Sequence, residues 1–216
     1  MAIESKENKK KRILKIISLF ERYYPDAQCA LDHKTPEQLL FATILSAQCT
    51  DERVNLVTPH LFKTYPHLQD LARAKQGDVE KIIKSTGFFR NKAKNIISAA
   101  KDLVEKHHSQ LPKTIEGMTS LAGVGRKTAN VVLGNAFNIA SGVVVDTHVR
   151  RLSNRLGLVK VQNPEVIERE LNELVPKKHW VMFSHWLITH GRAVCKARKP
   201  QCETCFLFEF CPKKGV

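Results

Sequence analysis

Four of the chain's six cysteines, Cys195, Cys202, Cys205 and Cys211, fall within the last 22 residues in the spacing C-x6-C-x2-C-x5-C. Four thiolates that close together can wrap one inorganic centre, either a tetrahedral zinc ion or a [4Fe–4S] cube. Spacing physics alone does not choose, although zinc ribbons usually pair two C-x2-C knuckles and only one such pair exists here. In a reducing compartment the array points to metal rather than disulfides. Cys29 and Cys49 stand apart and read as small buried hydrophobes.

A second constellation occupies residues 121–132, LAGVGRKTANVV. Gly123 and Gly125 permit positive φ and leave backbone N–H groups uncovered by side chains. The helix that follows offers free amides and a positive dipole end, and both favour an anion. Two glycines alone would equally suit a tight corner between helices. Arg126 and Lys127 shift that balance, because cations beside a positive helix end are unfavourable unless an anion joins them. Asp146, between VVV and THVRRLSNRL, reads as the N-cap of a helix. A carboxylate in that place can also stabilise developing positive charge or assist proton transfer. His148 is assigned no role beyond packing or a helix surface.

Helices must position these groups, because helix signals recur along the chain and strand signals do not. TPEQLLFATILSAQ opens with Thr35 as cap, Pro36 at the first helical position and Gln38 three after the cap, and reads as a buried helix. GDVEKIIKSTG reads as a helix from a cap at Asp78 to a stop at Gly87, and NKAKNIISAAKDLVEKH repeats apolar residues at Ile96, Ile97, Ala100 and Val104. Asn163 and Pro164 begin another helix, and WVMFSHWLITHG is expected to close at Gly191. RILKIISLFERYY should end before Pro25 and needs a cover for Ile13, Ile16, Ile17 and Phe20, which the C-terminal helices can supply. Val143–Val145 is too short to be more than a connector.

The 216 residues suffice for one or two domains, and 43% hydrophobic content supports a packed core without staples. Thirty-five Lys and Arg against 21 Asp and Glu give a net charge of +14, which implies a polyanionic partner, nucleic acid first. No apolar stretch is long enough to span a membrane, and MAIESKENKKKR lacks the apolar core of a signal peptide, so a cytoplasmic protein is expected.

Taken in order, LLFATILSAQCTD, GFFRNKAKNI, LAGVGRKTANVV, VVDTHVRRLSNRLGL and the cysteine array resemble the endonuclease III family, bifunctional DNA glycosylases of the helix-hairpin-helix superfamily. The resemblance runs from about residue 13 to residue 212. It implies an all-α fold with two helical lobes and a DNA-binding cleft between them. Residues 29–140 would carry the helix-hairpin-helix, and residues 1–28 with 141–216 would form the iron–sulfur domain. The implied activity is base-excision repair: removal of oxidised pyrimidines from duplex DNA, with abasic-site lyase cleavage 3′ to the lesion by β-elimination.

By the same resemblance Lys127 is the nucleophile that attacks C1′ and forms a Schiff base, and Asp146 is the catalytic aspartate. Arg126 and the helix end disfavour a further positive charge beside them, which favours a neutral, nucleophilic amine. The cysteine spacing matches the family's [4Fe–4S] loop, whose KARKPQ segment would present Lys196, Arg198 and Lys199 to phosphates. Gly123, Gly125 and Arg126 would hold DNA at the hairpin. Gln48 would fill the space left by the extruded nucleotide, and Phe88 would wedge the opposite strand. The wedge in the family is more often aliphatic, so Phe88 departs from the pattern. Asp51 is a candidate pocket residue.

Three other readings compete. A pyrimidine-dimer glycosylase/lyase would share the lysine and the cluster. An adenine glycosylase of the same superfamily would lack Lys127 and carry a further C-terminal domain. A noncatalytic helix-hairpin-helix module with a zinc clip would leave the pairing of Lys127 with Asp146 unused. The expected partner is duplex DNA containing damaged bases or abasic sites, bound by a monomer in the cytoplasm at the nucleoid.

Overall fold

A computed structural model describes residues 4–216. Among these residues there are eleven α-helices, three short 3-10 turns and no strand. The chain divides into two compact units, Cys29–Ile139 and a second made from Met1–Gln28 and Ala140–Val216, the latter described from residue 4 onward.

The first unit holds α2 (Pro36–Leu45), α3 (Asp51–Thr64), α4 (Leu68–Ala72), α5 (Gln76–Ile83), α6 (Phe89–Lys106), α7 (Ile115–Thr119) and α8 (Arg126–Phe137). Thr35 caps α2 as expected, its hydroxyl accepting from the Gln38 amide at 3.3 Å. Every residue of α2 from Leu39 to Leu45 is buried, so this helix is the unit's spine, with α8 packed on it. The expected helix is shorter than TPEQLLFATILSAQ, since Ser46 to Gln48 form a turn. The sequence reading names no helix at α3 or α4, although Thr50 caps α3 and Val54, Val57 and Leu61 recur on one face. Pro59 lies inside α3 and cannot donate to the helix ladder, while α4 is too short to show a period.

In α5 the expected cap is displaced. The helix begins at Gln76 with Lys75 as cap residue, and Asp78 lies inside the first turn, where its carboxylate favours the dipole and meets Lys81 at 3.0 Å.

The second unit holds α1 (Lys6–Tyr23), α9 (Thr147–Arg155), α10 (Pro164–Leu174) and α11 (Trp180–Ala193). Ser5 caps α1 eight residues before Ile13 opens the apolar period, because residues 6 to 12 are all polar or charged. Ile13, Ile16, Ile17 and Phe20 are buried against α9, α10 and α11 side chains, as expected, each contributing roughly 1.5–3 kcal/mol by area. Val143–Val145 is indeed a connector. Two of its amides are satisfied by side chains: Val143 N–H donates to Asn172 Oδ1 and Val144 N–H to Ser184 Oγ.

Gly191 does not end α11, which runs on to Ala193. A Cβ on Gly191 would lie 2.7 Å from His148 Nδ1, so its role is close approach of α11 to α9.

Candidate functional site

The glycine turn is built from two dissimilar glycines. Gly123 adopts φ +76, and a Cβ there would lie 2.8 Å from Asn95 Cβ, so both backbone and space require glycine where the turn seats on α6. Gly125 is extended at φ −89, so only Gly123 uses the positive φ that glycine permits, and a Cβ on Gly125 would meet nothing within 4 Å. It acts as the cap residue of α8 and offers no side chain to the first-turn amides. Thr35, Thr50, Thr114, Asp146 and Asn163 do cap their helices with side-chain oxygens, so α8 differs from α2, α3, α7, α9 and α10. Val124 anchors the turn in the core, while Arg126 and Lys127 are exposed on its outer side.

Gln48 and Phe88 lie in the same unit, on two separate loops. Both are exposed, and both are non-glycine residues in the left-handed region, at φ 53 and φ 46. Such conformations cost free energy and collect at functional sites. Gly87, before Phe88, has φ 70 and ψ 158, a combination open almost only to glycine. Asp51 starts α3 just after Thr50, the cap residue.

Asp146 lies in the other unit. It caps α9, its Oδ1 accepting from Val149 N–H at 2.8 Å, and it is half-buried. His148 Nδ1 accepts a hydrogen bond from Arg151 Nη2 at 3.1 Å.

All four C-terminal cysteines line one pocket together with Leu152, Leu156 and His190. A cube with an iron at each of four corners needs sulfurs distributed around a volume, which is what this pocket supplies. Burial pushes the Cys205 and Cys211 thiols up, so charge compensation is required to keep them as thiolates. Two donors are in place, Arg155 Nη1 at 3.4 Å from Cys195 Sγ and the Lys213 amide at 3.4 Å from Cys211 Sγ, and His190 Nε2 meets Cys205 Sγ at 3.3 Å. His190 meets the Tyr24 hydroxyl at 2.9 Å, and burial holds its imidazole down to about 4 and the phenol up to about 12. Both groups are therefore neutral near pH 7.

Lys196, Arg198 and Lys199 are exposed on the loop between the first two cysteines. Two arginines of α9 fix that loop by its backbone. Arg155 donates to the Lys196 and Ala197 carbonyls at 2.8 and 2.9 Å, and Arg151 to those of Gly191 and Cys195 at 3.0 and 3.1 Å. Arg12 of α1 closes the far side through the Leu156 and Phe210 carbonyls. Sequence reasoning missed all three arginines and the buried Lys92. Only the basic run in THVRRLSNR signals any of them, and it reads as an exposed face until the loop is in place.

An all-α chain with this hairpin and this cysteine pocket falls in a defined class. Residues 41–177 match the family described as HhH-GPD superfamily base excision DNA repair protein, and residues 195–211 match the iron–sulfur binding domain of endonuclease III. The chain is 55% identical to Endonuclease III of Synechocystis sp. over 95% of its own length and 94% of the relative's. Against Endonuclease III of Escherichia coli the figures are 40%, 96% and 97%. A solved non-covalent Endonuclease III–DNA complex superposes with a TM-score of 0.89 at 40% identity, covering 94% of this chain and 95% of that one. A trapped Endonuclease III–DNA covalent intermediate gives 0.88, also at 40% identity, covering 94% and 96%.

The chain belongs to the endonuclease III family. It is a DNA glycosylase of base-excision repair, and its cofactor is a [4Fe–4S] cluster. No described helix is long and apolar enough to cross a membrane.

Proposed function

We propose that this glycosylase removes oxidised pyrimidines from duplex DNA and cleaves the abasic product as a lyase, with Lys127 as nucleophile and Asp146 as the assisting carboxylate. The observation that carries this reading is the end of α8: an exposed amine one residue into a helix whose cap residue has no side chain to occupy the first-turn amides. Those amides and Arg126 suit a backbone phosphate, and the amine then stands one residue away from it. The solved relatives bound to DNA support duplex DNA as the partner.

In the reaction, the Lys127 lone pair forms a bond to C1′ as the bond from C1′ to the base breaks, and the base leaves with its electron pair and a proton. Ring opening gives an iminium. Loss of a C2′ proton then expels the 3′ phosphate, and hydrolysis returns the free lysine. Asp146 stabilises positive character at C1′ while capping α9 with Oδ1. Cys195, Cys202, Cys205 and Cys211 hold the cluster, which supplies a rigid core for the loop bearing Lys196, Arg198 and Lys199. Gln48 plugs the vacated stack and Phe88 wedges the opposite strand. The working domains are then residues 29–140 and residues 1–28 with 141–216, acting as a monomer in the cytoplasm at the nucleoid.

Borohydride added during turnover on a thymine glycol duplex should reduce the iminium and join protein to DNA. Lys127→Gln should give no adduct while binding the same duplex with little change. Normal excision by Lys127→Gln would remove the lysine from the chemistry. Parallel duplexes with a pyrimidine dimer, or with adenine opposite oxidised guanine, test the lesion class.

A further inference from the structure

Lys92, in the first turns of α6, is only 4% exposed. Its ammonium donates to the Leu45 carbonyl and to the Thr86 carbonyl, both at 2.8 Å. Leu45 is the last residue of α2, where carbonyls lack helical partners and carry the negative end of the dipole. Thr86 ends a 3-10 turn, Lys84–Thr86. One buried cation therefore joins two chain ends that would otherwise bury carbonyls without donors. Burial pulls the ammonium below the usual lysine range, whereas the two carbonyls favour its charged form.

The position of those carbonyls gives the bridge its meaning. Three residues beyond Leu45 comes Gln48, and two beyond Thr86 comes Phe88, each exposed and each held left-handed. Strained exposed residues keep such conformations only where neighbouring structure over-determines them. The Lys92 ammonium grips the base of both loops, and its backbone amide, which a side-chain substitution leaves in place, donates to the Phe88 carbonyl at 3.1 Å.

We propose that Lys92 is a positioning residue for lesion extrusion, setting the separation and backbone conformation of the Gln48 and Phe88 loops so that plug and wedge enter the duplex together. This rests on the reading of Gln48 and Phe88 given above. An apolar residue of similar length would fill the space and leave both carbonyls unpaired, freeing each loop to relax independently.

The test uses the full-length holoenzyme and compares a duplex carrying an intact thymine glycol with one carrying a preformed abasic site, where no stacked base has to be extruded. Lys92→Met should lower single-turnover excision of the intact lesion by about tenfold, with a change of no more than about twofold on the abasic site. It should also reduce the fluorescence rise of 2-aminopurine placed opposite the lesion. Lys92→Arg, which keeps donors for both carbonyls, should recover most of the loss. Gln48→Ala in the Lys92→Met background should add less than it does alone, because the two changes act on one step.

Equal losses on both substrates, no loss on either, or full additivity with Gln48→Ala would overturn the proposal. If Lys92→Met does not fold, Lys92→Gln, which retains donors for one carbonyl, is held to the same substrate ratio. Gln48→Ala and Phe88→Ala decide the underlying reading independently. Parent-like excision by both would remove plug and wedge themselves, whereas losses in both with a parent-like Lys92→Met would remove only the bridge.

Discussion

The two units expose cations by opposite constructions. At the AGVG turn the backbone does the work: Gly123 permits the bend, Gly125 leaves the α8 amides without a side-chain cap, and Arg126 and Lys127 follow at once. On the loop from Cys195 to Cys202 exposed side chains do the work, and the backbone is occupied, its carbonyls taken by Arg151 and Arg155. A site made of amides is complete within about one turn of chain. A site made of long side chains on an irregular loop needs a rigid base, here a cysteine pocket and two arginines some 40 residues earlier in the sequence.

The largest expected effect breaks that comparison on the cluster side. Cys205→Ala should lower iron from about four atoms per chain and bleach the brown colour of the purified protein. Cys29→Ala, in the other unit, should keep full iron, since Cys29 packs against an apolar core. The unfolding midpoint should fall for Cys205→Ala far more than for Cys29→Ala, because burial makes uncompensated thiols and a collapsed pocket costly. Full iron in Cys205→Ala would place the ligands elsewhere.

A smaller effect separates capping from chemistry at Asp146. Asp146→Asn retains an oxygen able to accept from Val149 N–H, so α9 and its two arginines should stay in place and the unfolding midpoint should move little. The negative charge is lost, and excision should fall by about a hundredfold or more, within the usual range for a group assisting proton or charge transfer. Cleavage of an abasic site, whose base has already gone, should fall less. Parent-like excision would leave Asp146 as a cap alone, and the unit with the cluster would then contribute grip without chemistry.

The same contrast explains what the sequence disclosed. Thr35, Asp146 and Asn163 could be named as caps because a cap is a local event, one side chain reaching an amide two or three residues on. The hairpin was legible for the same reason. Asp78 misled because an acidic residue is equally at home inside the first turn, and Gly191 misled because glycine serves close packing as well as termination. Lys92 and Arg155 could not be assigned, since each depends on a carbonyl more than 40 residues distant, Leu45 for Lys92 and Lys196 for Arg155, and nothing in their neighbours marks them out from surface cations. Pro59 hid α3 by obeying a rule that tertiary packing overrides, with Val54, Val57 and Leu61 buried around it.

The smallest expected effect sharpens the comparison at its weakest point, the cations of the cysteine loop. If the Arg151 and Arg155 bonds hold the loop through its carbonyls, removing one exposed side chain leaves the loop where it is. Lys199→Ala should therefore keep its iron and its unfolding midpoint. Its loss is one phosphate contact, which carries no sequence or lesion information and acts by releasing counterions. Affinity for damaged and undamaged duplexes should fall together by several-fold, and the slope of log K against log salt should become shallower by about 0.9. Lys127→Gln should bind with nearly the parent's salt slope if amides and Arg126 hold the phosphate at the hairpin. A lesion-specific defect in Lys199→Ala would show that the loop reads the damage rather than the backbone. An unchanged slope would show that Lys199 does not reach DNA, leaving Lys196 and Arg198 to supply the grip.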